Sequence, residues 1–472
     1  MNQTQFVVKG DFISAVTKNR LVAHSHAYAL CENGRIRDFV DTLPEGQWGR
    51  VPYFDFSGML IIPACVDLHV HAPQYAFRGM GMELELIDWL NTYTFPEEAK
   101  YADADYALRS YRLFTDDLEA SPSCRAVIFG TIHNAGNLVL ADLLKAQKMP
   151  CLVGKVNMDR NAPDYLCETA ESSFAATQAF VESLKNDDTV APIITPRFVP
   201  SCTPTLMENL GKLAADRHLP IQSHLSENKK EIAWVKELHP ECKTYAEVYD
   251  RYGLLTDKTI LAHCVHPTDE EIALLIRRGT YIAHCPESNL NLTSGIAPIA
   301  RLLDAGVHIG LGSDVAAGSQ LSLFKAMMAA LQVSKMRRYF YEGERALSVS
   351  EALYLGTKGG GSFFGDTGSF EKNFWFDAVV IDDAHFSART DFSVAQRLER
   401  ALYLTERHNM VAKFVQGRCV WNKREKVKIM TGCNCGDIYG RKKVYRYCGR
   451  AGKSRSGIKE CFCPECIYQR VY

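Results

Sequence analysis

Nowhere does this 472-residue sequence carry an uncharged apolar run approaching the ~18 residues of a membrane-spanning helix. Its first twenty residues, with Asp11 and Lys18 among short apolar pieces, also lack the continuous apolar core of a secretory leader. Charge of one sign is not in excess either, since 54 Lys+Arg stand against 55 Asp+Glu. No overall field therefore draws the chain to nucleic acid or to an anionic membrane. Repeats at a solenoid period and low-complexity linkers are missing as well. These absences leave a cytoplasmic globular protein with a small neutral molecule as its expected partner. At this length, one large domain plus a smaller one is expected.

Cysteine, by contrast, is plentiful at 16 residues. Most stand singly in apolar settings, as in Ala64-Cys65-Val66 and Pro150-Cys151-Leu152, and read as reduced thiols rather than a disulfide framework. The last forty residues differ. Cys433, Cys435, Cys448, Cys461, Cys463 and Cys466 are spaced C-x-C, twelve residues, C, twelve residues, C-x-C-x2-C. Thiolates at this density suggest a structural metal site, zinc first and an iron–sulfur centre second. The basic runs Arg441-Lys442-Lys443 and 453–459 equally suit a disordered basic extension with incidental thiols.

Along the chain, residues 4–59 give short apolar runs broken at Asn33-Gly34 and Pro44-Glu45-Gly46, the texture of strands and turns. From Leu60 the texture becomes short apolar strands alternating with helix-length segments. Runs at 127–131, 151–156, 192–195, 220–224, 259–263, 281–284 and 307–312, with the run ending at His69, supply eight parallel-strand candidates. After Gly365, strand character returns at 376–382 and 410–419, the latter closing on Gln416-Gly417-Arg418. The expected fold is α/β: a (β/α)8 TIM-type barrel over 63–365, with a small β-sandwich domain built from both chain ends, 1–62 and 366–425. Residues 426–472 remain as the Cys-rich basic tail.

The chemistry begins at Val66-Asp67-Leu68-His69-Val70-His71, where strand alternation puts His69 and His71 on one side so that both imidazoles converge on one ion. His224, His263 and Asp314 also fall at or just past strand ends, where barrel enzymes carry their active sites. His284 ends a strand too, beside Cys285, and reads as a pocket residue. Zinc suits this nitrogen and carboxylate set and lowers the pKa of a retained water to about 7, although iron or manganese would also fit. Glu227, three residues past His224, is placed to move a proton without ligating; its plain alternative is a helix N-terminal carboxylate after Ser226.

At these residues the chain resembles the amidohydrolase superfamily and, within it, the guanine deaminases. The resemblance rests on Pro63-Ala64-Cys65-Val66-Asp67-Leu68-His69-Val70-His71-Ala72-Pro73-Gln74-Tyr75, the segment from Trp89 to Pro96, Thr195-Pro196-Arg197-Phe198, Ser223-His224-Leu225-Ser226-Glu227-Asn228, and His284-Cys285-Pro286-Glu287-Ser288-Asn289-Leu290. It implies a homodimeric zinc enzyme that hydrolyses guanine to xanthine and ammonia. It implies His69, His71, His224 and Asp314 as ligands of one zinc, with His263 beside the metal as a weaker ligand or hydrogen-bonding partner. It further implies that Asp314 deprotonates the attacking water while Glu227 delivers a proton to ring nitrogen N3.

Guanine presents acceptors at O6 and N7, an edge arginine reads, and an amide can serve N1 and O6. Arg197 and Gln74 supply those groups, and Phe198 offers the ring a flat face. Phe198 also reads as core, and Arg197 as a structural ion-pair partner. Substrate binding is accordingly expected at Gln74, Arg197, Phe198, His71 and His224, and catalysis at Glu227, Asp314 and His263. Two features depart from the resemblance: Ser121-Pro122-Ser123-Cys124 leads into the second strand, and the tail has no counterpart. Lys155 lies on the third strand and not the fourth, so a carbamylated lysine bridging two metals is not expected. The rivals are another aminohydrolase acting on an adenosine-like or triazine substrate, and a non-catalytic scaffold of the same fold.

Overall fold

The computed structural model describes residues 5–44, 46–185, 187–389 and 391–423. The clustered cysteines from Cys433 to Cys466 lie outside them. Four strands open the chain: β1 (Gln5–Thr17), β2 (Arg20–Glu32), β3 (Arg35–Val40) and β4 (Tyr53–Pro63). Ten follow: β5 (Cys65–His71), β6 (Ser123–Phe129), β7 (Cys151–Gly154), β8 (Val156–Asn157), β9 (Val190–Pro192), β10 (Thr195–Pro196), β11 (Ile221–Leu225), β12 (Thr259–His263), β13 (Tyr281–His284) and β14 (His308–Leu311). The last three are β15 (Ala378–Ile381), β16 (Met410–Val415) and β17 (Arg418–Asn422).

Eight of the central strands form one all-parallel sheet in the order β11-β12-β13-β14-β5-β6-β7-β9. Its two ends meet at Ile194, whose N–H donates to Pro220 and whose carbonyl accepts from Gln222, each at 2.9 Å. Helices separate the strands, among them Asn134–Gln147, Ala170–Ser183, Pro204–Arg217 and Leu323–Phe340. Strands covered on both faces read as unbroken apolar runs, and all seven residues of β5 and of β6 are buried. β6 begins four residues earlier than its apolar run suggests, because Arg125 is not solvated: its Nη1 lies 2.7 Å from the buried Asp377 carboxylate. Among the described residues no helix is long and apolar enough to cross a membrane.

The chain ends meet in a second sheet, of seven strands in the order β17-β16-β15-β4-β1-β2-β3. β15 pairs antiparallel with β4, Ala378 opposite Pro63, so the C-terminal strands complete what the N-terminal ones begin. Asn33 and Gly34 adopt φ of 53° and 77°, the left-handed pair that a two-residue hairpin between β2 and β3 demands. Gln416-Gly417 repeats the device, and beyond it the chain continues as β17 rather than ending the run. One face packs an aromatic cluster in which Phe376 lies 5.7 Å from Phe6 and 5.2 Å from Phe414. Where the two sheets adjoin, the Lys413 ammonium donates to the carbonyls of Leu118, Ser121 and Ser123 at 3.3, 3.1 and 2.9 Å. Burial lowers its pKa to about 8.

Candidate active site

His69 and His71 alternate on β5 as period two requires, and both rings turn to the same side. His71 Nε2 lies 3.2 Å from His69 Nε2 and 3.2 Å from His224 Nε2. Asp314 Oδ1 stands 3.2 Å from His69 Nε2 and 3.6 Å from His71 Nε2. Donors at tetrahedral positions about 2.0–2.1 Å from a zinc ion would be spaced roughly 3.3 Å apart, which these four separations match; His69, His71 and His224 form one candidate ligand group and His69, His263 and Asp314 another. The His224 tautomer agrees. His224 Nδ1 lies 2.6 Å from the Arg197 carbonyl, which can only accept, so Nδ1 carries the hydrogen and Nε2 keeps its lone pair for the cluster. Burial holds His69, His71 and His224 well below the usual imidazole range, leaving them neutral and able to ligate.

Asp314 arrives on a loop rather than a strand, and several contacts hold it. Its N–H donates to the His69 carbonyl at 2.9 Å, and its own φ is 47°. The preceding Ser313 donates from N and Oγ to Asp67 at 2.9 and 2.5 Å, and Asp67 also accepts from the His69 amide at 3.2 Å. One buried carboxyl, raised by burial to about 7, thus clamps the strand bearing two ligands to the loop bearing another. Gly312 permits the approach: a Cβ there would come within 2.8 Å of His69 Cβ and Cys285 Sγ.

His263 Nδ1 pairs with Asn289 Oδ1 at 2.9 Å, which aims Nε2 at Glu227 Oε2 (3.4 Å) and Asp314 Oδ2 (3.8 Å). Glu227 is buried, and burial followed by the nearby Asp314 raises its pKa well above the carboxylate range. A carboxyl so placed holds its proton more tightly than a free one and is suited to general-acid work. The alternative of Glu227 as a helix cap falls away, because helix Lys229–Leu238 is capped by Asn228 with Glu231. The Glu231 carboxylate accepts the backbone N–H of Glu227 and Asn228 at 3.0 and 3.1 Å, freeing the Glu227 side chain to turn inward.

These groups line one concave pocket. Leu86, Trp89, Leu90 and Leu292 give it an apolar wall, and Phe198 lines it too, its ring edge-on to Trp234. Gln74 and Arg197 also line it, and both are buried. The ion-pair reading of Arg197 holds alongside the pocket reading: its Nη1 lies 2.6 Å from Glu98 Oε2, and Gln74 Nε2 donates to Glu98 Oε1 at 3.0 Å. Lys155 turns elsewhere, to Glu168 and to Ser173 at 3.2 Å, and takes no part in the cluster. His284 does not line the pocket, and neither of its ring nitrogens has a partner among the described residues. The ten described cysteines are all free thiols.

Asp67, Glu98 and Glu231 escaped sequence reasoning. Glu98, in Phe95-Pro96-Glu97-Glu98, reads like its neighbour Glu97; both are buried, and the sequence holds no local mark that Glu98 is the one that meets Gln74 and Arg197. Asp67 could have been suspected from its place two residues before His69 on the same face.

Comparison with known proteins shows the family. The amidohydrolase family model matches residues 60–420. A probable guanine deaminase of Schizosaccharomyces pombe is 40% identical over 377 residues, covering 76% of this chain and 71% of that one. The guanine deaminase of Homo sapiens is 38% identical over 374 residues, covering 76% and 82%. A crystal structure of guanine deaminase from C. acetobutylicum with guanine bound in its active site superposes with a TM-score of 0.85 at 42% identity, covering 89% of this chain and all of that one.

Proposed function

The chain belongs to the guanine deaminases of the amidohydrolase family, and from that premise we propose how its residues hydrolyse guanine to xanthine and ammonia. His69, His71, His224 and Asp314 would hold one zinc ion. When bound there, zinc supplies Lewis acidity and brings the pKa of water down to about 7. Arg197 and Gln74 grip the O6, N7 and N1 edge of the base while Phe198 and the apolar wall cover its faces. C2 is thereby turned toward Asp314 and Glu227. Asp314 takes a proton from the attacking water; Glu227 gives one to N3 as C2 becomes tetrahedral. His263, held by Asn289, steadies both carboxyl groups. Asp314 returns its proton to the amino nitrogen, the C2 hydroxyl gives its proton to the Glu227 carboxylate as the C2–N bond breaks, and ammonia leaves with both carboxyl groups restored.

The observation that carries this reading is the convergence of three imidazoles and Asp314 beside a buried arginine–amide pair in one pocket. An adenosine-like or triazine substrate gives no reason for Gln74 and Arg197 together, and a scaffold gives none for an intact ligand set. The test measures xanthine and ammonia from the purified protein across a panel of purines and nucleosides, with metal content determined on the same sample. Turnover of adenosine in preference to guanine, or no turnover with metal present, defeats the reading.

We read the hydrogen bonds at Ile194 as closing a (β/α)8 barrel over 63–365, and the second sheet as a small β-sandwich domain from 1–62 and 366–425 that wraps its aromatic cluster. The protein acts in the cytoplasm as a homodimer. Cys433, Cys435, Cys448, Cys461, Cys463 and Cys466 hold a structural zinc; a content of one zinc per chain removes that assignment.

A further inference from the structure

Glu98 closes the short helix Phe95–Glu98 and is 2% exposed. Its two oxygens are divided between the two groups read above as gripping the base: Oε1 accepts from Gln74 Nε2 at 3.0 Å and Oε2 from Arg197 Nη1 at 2.6 Å. An ionised carboxylate can only accept. The amide of Gln74 therefore has one orientation, nitrogen toward Glu98 and oxygen away; reversed, two acceptors would face each other. The Gln74 Oε1 makes only a long contact of 3.4 Å with the Ala316 amide, so it remains an acceptor for the pocket that Gln74 lines. Arg197 has no acceptor to offer and presents donors. Its charge, buried with it, is cancelled by the same carboxylate.

We propose that Glu98 is a positioning residue that decides which purine edge the site accepts, by fixing Gln74 as acceptor beside Arg197 as donor within a neutral wall. That pattern complements a lactam edge, where an N1–H donor stands next to an O6 acceptor. It opposes an amidine edge, where N1 accepts and a 6-amino group donates, since like groups then meet at both positions. A site built to satisfy such groups discriminates strongly, because a mismatched base leaves buried polar atoms unpaired. The inference rests on the guanine reading.

The test pairs guanine with 2,6-diaminopurine, which carries the same 2-amino leaving group on an amidine edge, in the metal-loaded parent and in Glu98→Gln. The amide that then replaces the carboxylate cannot accept from both neighbours, so Gln74 is free to reverse. In Glu98→Gln, kcat/KM for guanine should fall about 100-fold with little change for 2,6-diaminopurine, so the preference collapses. The binding preference for hypoxanthine over adenine, read by calorimetry, should collapse with it. Glu98→Asp keeps charge and both acceptors at shorter reach; it should slow both substrates and keep the preference, which covers the case in which Glu98→Gln does not fold. An equal loss on both substrates in Glu98→Gln, an unaltered preference there, or a lost preference in Glu98→Asp overturns the assignment. A parent that does not prefer guanine refutes the substrate reading instead and is told apart by that.

Discussion

Charge is buried in two regions of this molecule, and the two treat it in opposite ways. Where the sheets adjoin, Arg125 meets Asp377 at 2.7 Å and Lys413 donates to three carbonyls, so each charge is answered by fixed partners. At the ligand cluster, ring nitrogens face one another at 3.2 Å and Glu227 stands 3.4 Å from His263 and from Ser294, a loose arrangement that asks for a cation and a substrate. The first region spends buried polarity on architecture. The second turns it toward a pocket, where perturbed titratable groups mark a reactive site.

Four measurements break or sharpen this contrast. Asp314→Ala removes the proposed ligand and the proposed proton acceptor together, and should lower kcat/KM by about 10⁴-fold or more with loss of metal, read by xanthine formation and elemental analysis. Glu227→Gln should lower kcat by about 10²- to 10⁴-fold while metal content stays at the parent value. Arg125→Ala should leave kcat per folded molecule unaltered but reduce stability by about 3–5 kcal/mol in denaturant unfolding, because Asp377 stays buried alone; a loss of activity without loss of stability would merge the two regions. Lys413 gives the smallest effect. Its folded pKa, about 8, is below that of a free lysine, so the unfolded chain binds more protons between the two values. Stability should therefore rise by up to about 3 kcal/mol as pH climbs from about 8 to roughly 10.5, and Lys413→Met should lack that rise.

Much of this was open to a sequence reader. Each of the eight parallel strands overlaps an apolar run, β9 only at Pro192, and His69 approaches His71 and Asp314, and His71 approaches His224, because strand alternation and strand ends are local properties. Asn33-Gly34 marks its hairpin for the same reason. Glu98 and Asp67 were hidden because a carboxylate's burial depends on partners far along the chain: Arg197 is 99 residues from Glu98, and Ser313 is 246 from Asp67. Arg125 misled the start of β6 likewise, its partner lying 252 residues on.

The pairing of β15 with β4 carries a cost in time. β4 ends at Pro63 and its neighbour begins at Ala378, so more than three hundred residues must be synthesised before the ladder can form. At roughly 5–20 residues per second, that edge of β4 waits on the order of tens of seconds with its backbone groups unclaimed. A newborn chain should be most vulnerable there, to a chaperone or to another copy of itself, and the parallel sheet can mature while its companion is still unfinished.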